Sequence, residues 1–301
     1  MDTSNWSGVC QLPALGVIEA SGADAASFLH GQLSQDMQNL AEHSPALAAY
    51  CSAKGRMLAS LWVWRTAPDR FLLVVDQSIL APTLKRLSMF VLRSKCTLRD
   101  ASAELSVLGC VRPASEGDFT APFATAPGQP LTGHGSRLGW AIVPTAEATA
   151  LVAQGPAIDA ERWMWLAVLT GVPRISAPTV DQFVPQMINL ELIGGVNFQK
   201  GCYPGQEVVA RSQYRGTTKR RLFLMHSDHG VQAGQEVFSA ADPDQPAGMV
   251  VNTAAAPGDG LGWHALVELK LAAADAAVHA ESAQGPLLTP RALPYAIPSA
   301  E

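Results

Sequence analysis

The sequence predicts an α+β protein with more than one hydrophobic core, in which mixed strands and helices precede a series of short strands. At 301 residues the chain is too long for one ordinary core, and its 48% hydrophobic and 16% charged content is typical of a folded chain. Its 25 glycines and 21 prolines supply many turn positions, which favours strands over a helical bundle. After Arg221, evenly spaced strand segments indicate a small β-barrel or sandwich.

Strands and helices alternate in the first 110 residues. Leu15 to Ala20 predicts a strand, and a helix follows it. Leu47 to Cys51 and Met57 to Trp64 predict two strands, and the Ser52-Ala53-Lys54-Gly55 segment between them predicts a hairpin turn. Further predictions are a strand at Arg70 to Val75, a helix at Leu80 to Val91 and one or two strands within Thr97 to Leu108.

The middle of the chain predicts a connector and a second α/β lobe. Val111 to Ser136 is rich in Pro, Gly, Ser and Thr, which is typical of a loop between lobes. The elements predicted after it are a strand at Arg137 to Val143, helices at Ala146 to Gln154 and Ala160 to Leu169, and an irregular segment at Ile175 to Gly195. The character changes near Gly216. We therefore expect one region over residues 1–215, with lobes at about 1–110 and 111–215, and a second over 216–301.

The C-terminal region contains short strand candidates separated by turns. The clearest predicted turns are Asp242-Pro243-Asp244 and Pro257-Gly258-Asp259-Gly260. The strand candidates are Leu222 to Met225, Glu236 to Phe238, Ala247 to Val251, Gly262 to Leu269 and Ala276 to Ala280.

Composition limits the function classes. Met1 to Gln11 lacks the basic and apolar parts of a signal peptide, and no run approaches the ~18 apolar residues of a spanning helix. The five scattered cysteines fit a reducing compartment, so we expect a cytoplasmic protein without a membrane anchor. The net charge of −5 argues against direct nucleic-acid binding. No firmly bound metal is predicted.

The segment Lys200-Gly-Cys-Tyr-Pro-Gly-Gln-Glu207 is the least scaffold-like part of the sequence. Cys202 lies between glycines and before a Pro-Gly turn, which predicts an exposed thiol, whereas the other four cysteines are expected to be buried and inert. Lys200 would lower the pKa of that thiol or pair with a ligand carboxylate. The alternative is a solvated surface lysine.

The same part of the sequence is locally basic. Six of the 21 Lys and Arg residues lie between Lys200 and Arg221, with only Glu207 opposing them. This excess of positive charge predicts an anion-binding edge or a solvated linker between domains. Glu207 and Arg211 have the spacing of a surface ion pair on a helix.

Two tryptophans lie on the helix predicted at Ala160 to Leu169. Trp163 and Trp165 are two residues apart and cannot share a helical face. We expect one in the core and the other as a partly exposed stacking platform. His226 and His229 have loose metal-ligand spacing, but a solvated turn is the favoured interpretation.

The Lys200–Glu207 motif resembles the signature of the YgfZ-type proteins, which are relatives of the glycine-cleavage T-protein (aminomethyltransferase) and of a mitochondrial iron–sulfur assembly factor. Matches extend over nearly the whole chain. They include Gly22-x-Asp24-x-x-x-Phe28-Leu29-x-Gly31-Gln32, Ala53-Lys54-Gly55-Arg56, Gly171-Val-Pro173, Pro185-Gln186-x-x-Asn189-Leu190 and Arg211-x-x-x-Arg215-Gly216.

The resemblance implies a bilobed folate-binding region followed by a C-terminal β-barrel, with tetrahydrofolate between them. It implies a factor that assembles or repairs the iron–sulfur clusters of client enzymes, including some that modify tRNA. Its partners would be folate and those iron–sulfur client proteins. Cys202 and Lys200 become the catalytic candidates. The candidate contacts to folate are Trp163, Asn189, Tyr203, Gln206, Glu207, Arg211 and Arg215.

This chain departs from the T-protein pattern at several positions. Leu58 and Ala59 occur where T-proteins have two aspartates, and Leu169 occurs where they have a carboxylate for the pterin. Leu15 replaces a second aromatic residue. Loss of these carboxylates argues against aminomethyl transfer. The alternatives are a folate-dependent transferase of another one-carbon unit and a module that binds RNA or protein through the basic edge.

Overall fold

Three β-sheets, all with antiparallel pairing, organise this α+β chain in a computed structural model. The structure describes residues 3–113, 128–130, 138–156, 158–214 and 218–298. The first two sheets are formed by residues before Thr145, and the third is a closed barrel formed by residues after Lys219.

A five-stranded sheet in the order β3-β4-β5-β2-β6 forms the larger N-terminal core. Both of its helices contribute to this core, through Phe28 and Leu29 on α1 and Leu80 and Leu87 on α2. The predicted hairpin is confirmed, since Tyr50 pairs with Ala59 across it. The elements are β2 (Leu15–Ser21), α1 (Ala25–Gln32), β3 (Pro45–Cys51), β4 (Met57–Ala67), β5 (Arg70–Asp76), α2 (Gln77–Ser88) and β6 (Thr97–Asp100).

A four-stranded sheet in the order β1-β7-β9-β8 lies beside it. Strand β1 was not predicted from the polar N-terminus, and β8 lies inside the segment predicted as a connector. The rest of that segment is outside the described residues. The elements are β1 (Gly8–Gln11), β7 (Leu105–Val111), β8 (Gly128–Pro130), β9 (Leu138–Pro144), α3 (Thr145–Val152) and α4 (Ala160–Leu169).

The C-terminal sheet is a closed six-stranded barrel in the order β10-β13-β12-β11-β14-β15. Of the two architectures that the sequence allowed, a barrel or a sandwich, the structure has the barrel. The turn predicted at Asp242-Pro243-Asp244 is wrong. These exposed residues begin β12, because the hairpin bends earlier and pairs Ser239 with Asp242. The strands are β10 (Arg220–Ser227), β11 (Glu236–Ser239), β12 (Asp242–Ala255), β13 (Trp263–Lys270), β14 (Val278–Ala280) and β15 (Leu287–Arg291).

Side-chain caps set the first residues of α2 and α4. The carboxylate of Asp76 accepts a hydrogen bond from the Ser78 amide at 3.0 Å, so α2 begins before the predicted Leu80. It ends at Ser88 rather than Val91, because the chain then enters tight turns. Helix α4 has the predicted limits and begins at the side-chain cap of Asp159.

A short irregular segment joins the N-terminal part to the barrel. A 3₁₀ turn at Pro185–Ile188 ends at Asn189, which has a left-handed φ of 59°. The buried Asn189 amide donates to the Leu222 carbonyl at 2.9 Å and accepts from the Leu222 amide at 3.3 Å. The joint therefore fixes the first barrel strand through its backbone.

A second joint connects α4 with the barrel. The Trp165 indole nitrogen donates a hydrogen bond to Nδ1 of His264 at 3.0 Å, which requires a neutral acceptor nitrogen. Burial, with His226 and Arg291 adding to it, lowers the pKa of His264 from 6.5 to about 4.

In the part of the chain that the structure describes, no helix is both long enough and apolar enough to cross a bilayer.

We predict an acid-sensitive stability that depends on His264. Its folded pKa lies below its unfolded value, so the unfolded chain binds more protons between pH 6.5 and 4 and stability falls as the pH drops through this window. From pH 7 to pH 4.5, wild type should lose on the order of 1–2 kcal/mol more than His264→Gln, which can keep the Trp165 bond without titrating. Urea unfolding followed by tryptophan fluorescence measures the difference. Equal losses in the two proteins would contradict it.

Candidate functional site

The buried ammonium of Lys200 anchors the motif loop to the end of α1. Its Nζ donates to the carbonyls of His30 and Leu33, the latter at 2.6 Å, and lies 5.0 Å from the centre of the Tyr203 ring. Carbonyls at the last turn of a helix lack intrahelical partners and attract cations. Burial lowers the pKa of Lys200 to about 8. The solvated surface lysine considered from the sequence is therefore wrong.

The hairpin turn between β3 and β4 supports the other side of the loop. Gly205 has a φ of 79°, and a Cβ there would lie 2.4 Å from the Ser52 carbonyl oxygen. Only glycine allows this close approach of the two turns. The Pro204-Gly205 turn of the motif thus packs directly against the Ser52–Gly55 turn.

Between these anchors, Cys202 is exposed. The other four cysteines are free and buried, as predicted, and burial raises the pKa of the Cys10, Cys51 and Cys110 thiols to about 12. A thiol at pKa 12 stays protonated and unreactive at neutral pH. Cys202 is therefore the thiol available to a reagent or partner from solvent.

A histidine that the sequence analysis missed lies beside this loop. Nδ1 of His30 is 3.0 Å from Oδ1 of Asp36, and its Nε2 is 3.5 Å from where a Cβ on Gly201 would be. A hydrogen bond from Asn39, with His30 adding to it, lowers the pKa of the Asp36 carboxyl. The aspartate thus orients the imidazole toward the residue preceding Cys202. No sequence signal revealed this pair, because a turn separates its two members.

The remaining motif residues begin helix α5 (Gln206–Tyr214). The side-chain amide nitrogen (Nε2) of Gln206 lies 3.5 Å from the backbone carbonyl oxygens of both Lys200 and Gly201. Glu207 and Arg211 form the predicted exposed ion pair at 2.8 Å. Arg215 lies outside the described residues.

The anion-binding edge predicted after α5 is largely neutralised by carboxylates distant in sequence. Arg220 forms an ion pair with the buried Glu268, and the buried Arg221 forms one with the buried Glu191. Neither arginine belongs to a solvated linker, because both lie in β10. The excess of basic residues along the sequence did not predict an exposed anion site, because the carboxylates that pair with Arg220 and Arg221 come from other elements.

Trp163 lies in the wall of an apolar cavity between the sheets and the barrel. The cavity and the solvent-filled space at its open mouth together span about 740 Å³. Trp62, Trp140 and Leu15 also line it. The Trp163 indole donates to the Gly139 carbonyl at 3.1 Å, and a Cβ on Gly109 would lie 2.7 Å from its ring. Trp163 and Trp165 are both buried, so the prediction of a partly exposed platform is wrong.

Polar groups occur at one side of this cavity. Asp76 forms an ion pair with Arg174 at 3.0 Å, and the Arg174 backbone is held by Asn252 through two bonds of 2.7 Å. Thr253 also lines the cavity, and its buried hydroxyl has no hydrogen-bond partner among the described residues. Such an orphaned hydroxyl is costly unless a ligand or water bonds to it.

The candidate residues fall into three separate places. Cys202, Lys200, Tyr203 and Gln206 share the motif loop, whereas Trp163 lines the cavity. No described residue of the 200–207 motif contributes to the cavity wall. Asn189 is in the barrel joint, where both ends of its amide bond to backbone. The described residues contain no cluster of three or more His, Cys, Asp or Glu side chains suited to a metal ion.

No family model matches the chain. The tRNA-modifying protein YgfZ of Escherichia coli strain K12 is 33% identical over 220 residues, which is 68% of this chain and 67% of that protein. This chain belongs to the YgfZ family. The tRNA-modifying protein YgfZ of Shigella flexneri gives the same values, which confirms the family resemblance noted from the sequence.

The fold of this YgfZ-family chain is also that of a solved aminomethyltransferase. Aminomethyltransferase T of the glycine cleavage system from Bartonella henselae superposes with a TM-score of 0.74, covering 97% of this chain and 87% of that one. At 17% identity the similarity concerns the fold alone. It confirms the predicted fold class, including the C-terminal barrel.

We predict that thiol reagents distinguish Cys202 from the other cysteines. Iodoacetamide at pH 7.5 should modify the native wild type at Cys202 alone, because burial keeps the other thiols protonated and inaccessible. Mass spectrometry of the intact protein measures the added mass, with Cys202→Ser as the matched control. Rapid modification of native Cys202→Ser would contradict the prediction, and all thiols should react in urea.

Proposed function

We propose that this protein is a tetrahydrofolate-binding factor of the cytoplasm that supports assembly or repair of iron–sulfur clusters in selected enzymes, including tRNA-modifying ones. The observation that supports it best is the tryptophan-lined cavity with an orphaned Thr253 hydroxyl. The family name, tRNA-modifying protein, supports the link to tRNA modification.

The residues around the cavity fit a reduced folate. Its walls are mainly apolar and aromatic, as is typical of small-molecule sites. Trp62, Trp140 and Trp163 offer ring faces and edges to a pteridine or an aminobenzoyl ring. The Arg174 guanidinium and the Thr253 hydroxyl can donate hydrogen bonds to its carbonyl and ring nitrogens. When bound, tetrahydrofolate would supply a carrier for one-carbon units.

The separation of Cys202 from the cavity favours a factor over a transferase. The thiol is exposed on a loop whose motif residues do not line the cavity, so a partner can reach it from solvent. His30, oriented by Asp36, lies against the residue that precedes the thiol, and we propose that it exchanges protons there. We propose that Cys202 contacts a client protein or its cluster, while Lys200 holds the loop in place.

A second candidate is a folate-dependent transferase of an aminomethyl, methyl or formyl unit. The buried Asp76 carboxylate favours it, because it brings an acidic group into the cavity although Leu58, Ala59 and Leu169 lack one. Turnover of methylene- or formyl-tetrahydrofolate by the purified protein would establish this function. Binding without turnover would favour the first.

We predict that tetrahydrofolate binding depends on two cavity residues. Trp163→Leu should weaken binding roughly ten-fold by removing a ring contact, and Thr253→Val about five-fold by removing a hydrogen bond. Calorimetric titration measures both, with tryptophan fluorescence as a second signal. Thr97→Val, on the exposed edge of β6, is the control and should bind like wild type. Wild-type affinity in both cavity variants would refute this site.

We predict that Cys202 is needed for the maturation of client enzymes but not for folate binding. In a strain lacking the gene, Cys202→Ala should leave iron–sulfur enzyme activity near the deletion level, because no thiol reaches the client. Cys110→Ala, which alters a buried thiol, should restore the activity. Full restoration by Cys202→Ala would eliminate the role of the cysteine.

A further inference from the structure

A second basic segment lies at the end of α2 and has an apolar centre. Between Asp76 and Asp100 the sequence contains five basic residues and no acidic one. Met89, Phe90 and Leu92 are 65%, 43% and 86% exposed, and they are three of the seven large hydrophobic side chains exposed in the described chain. The basic–apolar surface comprises Lys85, Arg86, Met89, Phe90, Leu92, Arg93 and Lys95.

Backbone hydrogen bonds hold this surface in one shape. The Phe90 amide donates to the Leu87 carbonyl at 3.0 Å, and the Ser94 amide donates to the Val91 carbonyl at 2.8 Å. The Lys95 amide donates to the Asp24 carboxylate at 2.7 Å. Leu92 has a φ of 46°, a strained conformation for leucine that exposes its side chain. An exposed apolar turn with this strain is more typical of a binding surface than of a solvated loop.

The positive charges of the surface are available, unlike those of Arg220 and Arg221. Among the described residues, Lys85, Arg93 and Lys95 have no carboxylate within ion-pair distance. Arg86 lies 5.8 Å from the centre of the Phe90 ring. The neighbouring Asp24 carboxylate is engaged by the Lys95 backbone amide. Arg99 belongs to a different cluster, because it pairs with Glu19 and Glu104.

This combination fits a protein partner with an apolar pocket and an acidic rim. Protein interfaces place apolar side chains at the centre and charged side chains around them. RNA binding would use the cations and stacking faces but would gain little from Met89 and Leu92. A membrane-surface helix needs a longer apolar face than three neighbouring side chains provide.

Helix α1 connects this surface with the motif loop. Asp24 at its N-terminus binds the Lys95 amide, and His30 near its C-terminus lies against Gly201. Eight helical residues span about 12 Å, so the two features are separated by roughly that distance. A docked protein much longer than this helix can therefore reach the loop that contains Cys202.

We propose that the basic–apolar surface docks an acidic protein partner and positions it over Cys202. The docking is independent of the folate cavity, whereas the identification of this partner as an iron–sulfur client rests on the proposed function. Charge attraction would speed the encounter, and the three apolar side chains would anchor the complex.

Photo-crosslinking in cells tests the docking directly. A benzoylphenylalanine replaces Leu92, and a matched control carries it at Leu287, a 48% exposed leucine of the barrel. Each is combined with Arg93→Glu/Lys95→Glu. The partner identified by the crosslink is then purified on its own. Its affinity is measured at low and high salt for two proteins that lack the photoreactive residue, wild type and Arg93→Glu/Lys95→Glu.

The expected result is a protein crosslink from position 92, absent from position 287 and lost on charge reversal. The purified partner should bind at least ten-fold more weakly to Arg93→Glu/Lys95→Glu and more weakly in high salt. An RNase-sensitive product, a lipid adduct, no light-dependent product or an affinity insensitive to charge reversal would each overturn the proposal.

Two further measurements separate this inference from the proposed function. Arg93→Glu/Lys95→Glu should titrate tetrahydrofolate like wild type, because its charges lie outside the cavity. It should restore iron–sulfur enzyme activity poorly in the deletion strain. If partner binding is lost but those enzymes are fully active, docking stands and the identification of the partner as an iron–sulfur client fails. If partner binding is unaffected, docking fails whatever the enzymes show.

Discussion

The contact on which the rest of the structure depends is the one between Asn189 and the backbone of Leu222. One buried amide bonds to both the carbonyl and the amide of a residue in the first barrel strand. The ion pair between Arg221 and Glu191 lies next to it and is also buried. Removing one partner of such a pair leaves an uncompensated charge, which typically costs ~3–5 kcal/mol. Together these bonds restrict how the barrel can lie against the two N-terminal sheets.

The cavity depends on the position of the barrel against the N-terminal sheets. Its walls come from both sides of the joint, with Trp163 on α4 and Thr253 on a barrel strand. Asn252 bonds to the backbone of Arg174 and so ties the barrel to the polar side of the cavity. The motif loop depends on another contact, the Lys200 ammonium at the end of α1. The apolar cavity and the exposed thiol therefore depend on different interactions.

The architecture was largely predictable, because hydrophobic periodicity and turn residues are local signals. Helix α4 has the predicted limits, and the hairpin around Lys54-Gly55 forms as expected. The short strands β1 and β15 were missed because four or five residues with few apolar side chains give little periodicity. Strand β1 pairs with β7, and β15 pairs with β10 as well as with its neighbour β14, so partners distant in the sequence supply stabilisation that these segments lack.

The chemistry of the site was only partly predictable. The exposure of Cys202 followed from its glycine and proline neighbours. Tertiary contacts decided the rest, since Lys200 turned inward to satisfy carbonyls that belong to another element. His30 and Asp36 acquired significance only when the loop folded against them. Charge excess along the sequence failed as a guide at Arg220 and Arg221. Among the described residues, a group of cations without carboxylate partners lies at the end of α2 instead.

The close approach of Gly109 to Trp163 has a consequence for how the pocket could evolve. The indole ring occupies the space in which any other residue at position 109 would place its first side-chain carbon. A single added methyl group on that strand would force the Trp163 ring to shift, without replacing any side chain of the cavity wall. Family members could thus differ in the width of this cavity through a substitution at a residue that does not itself line it.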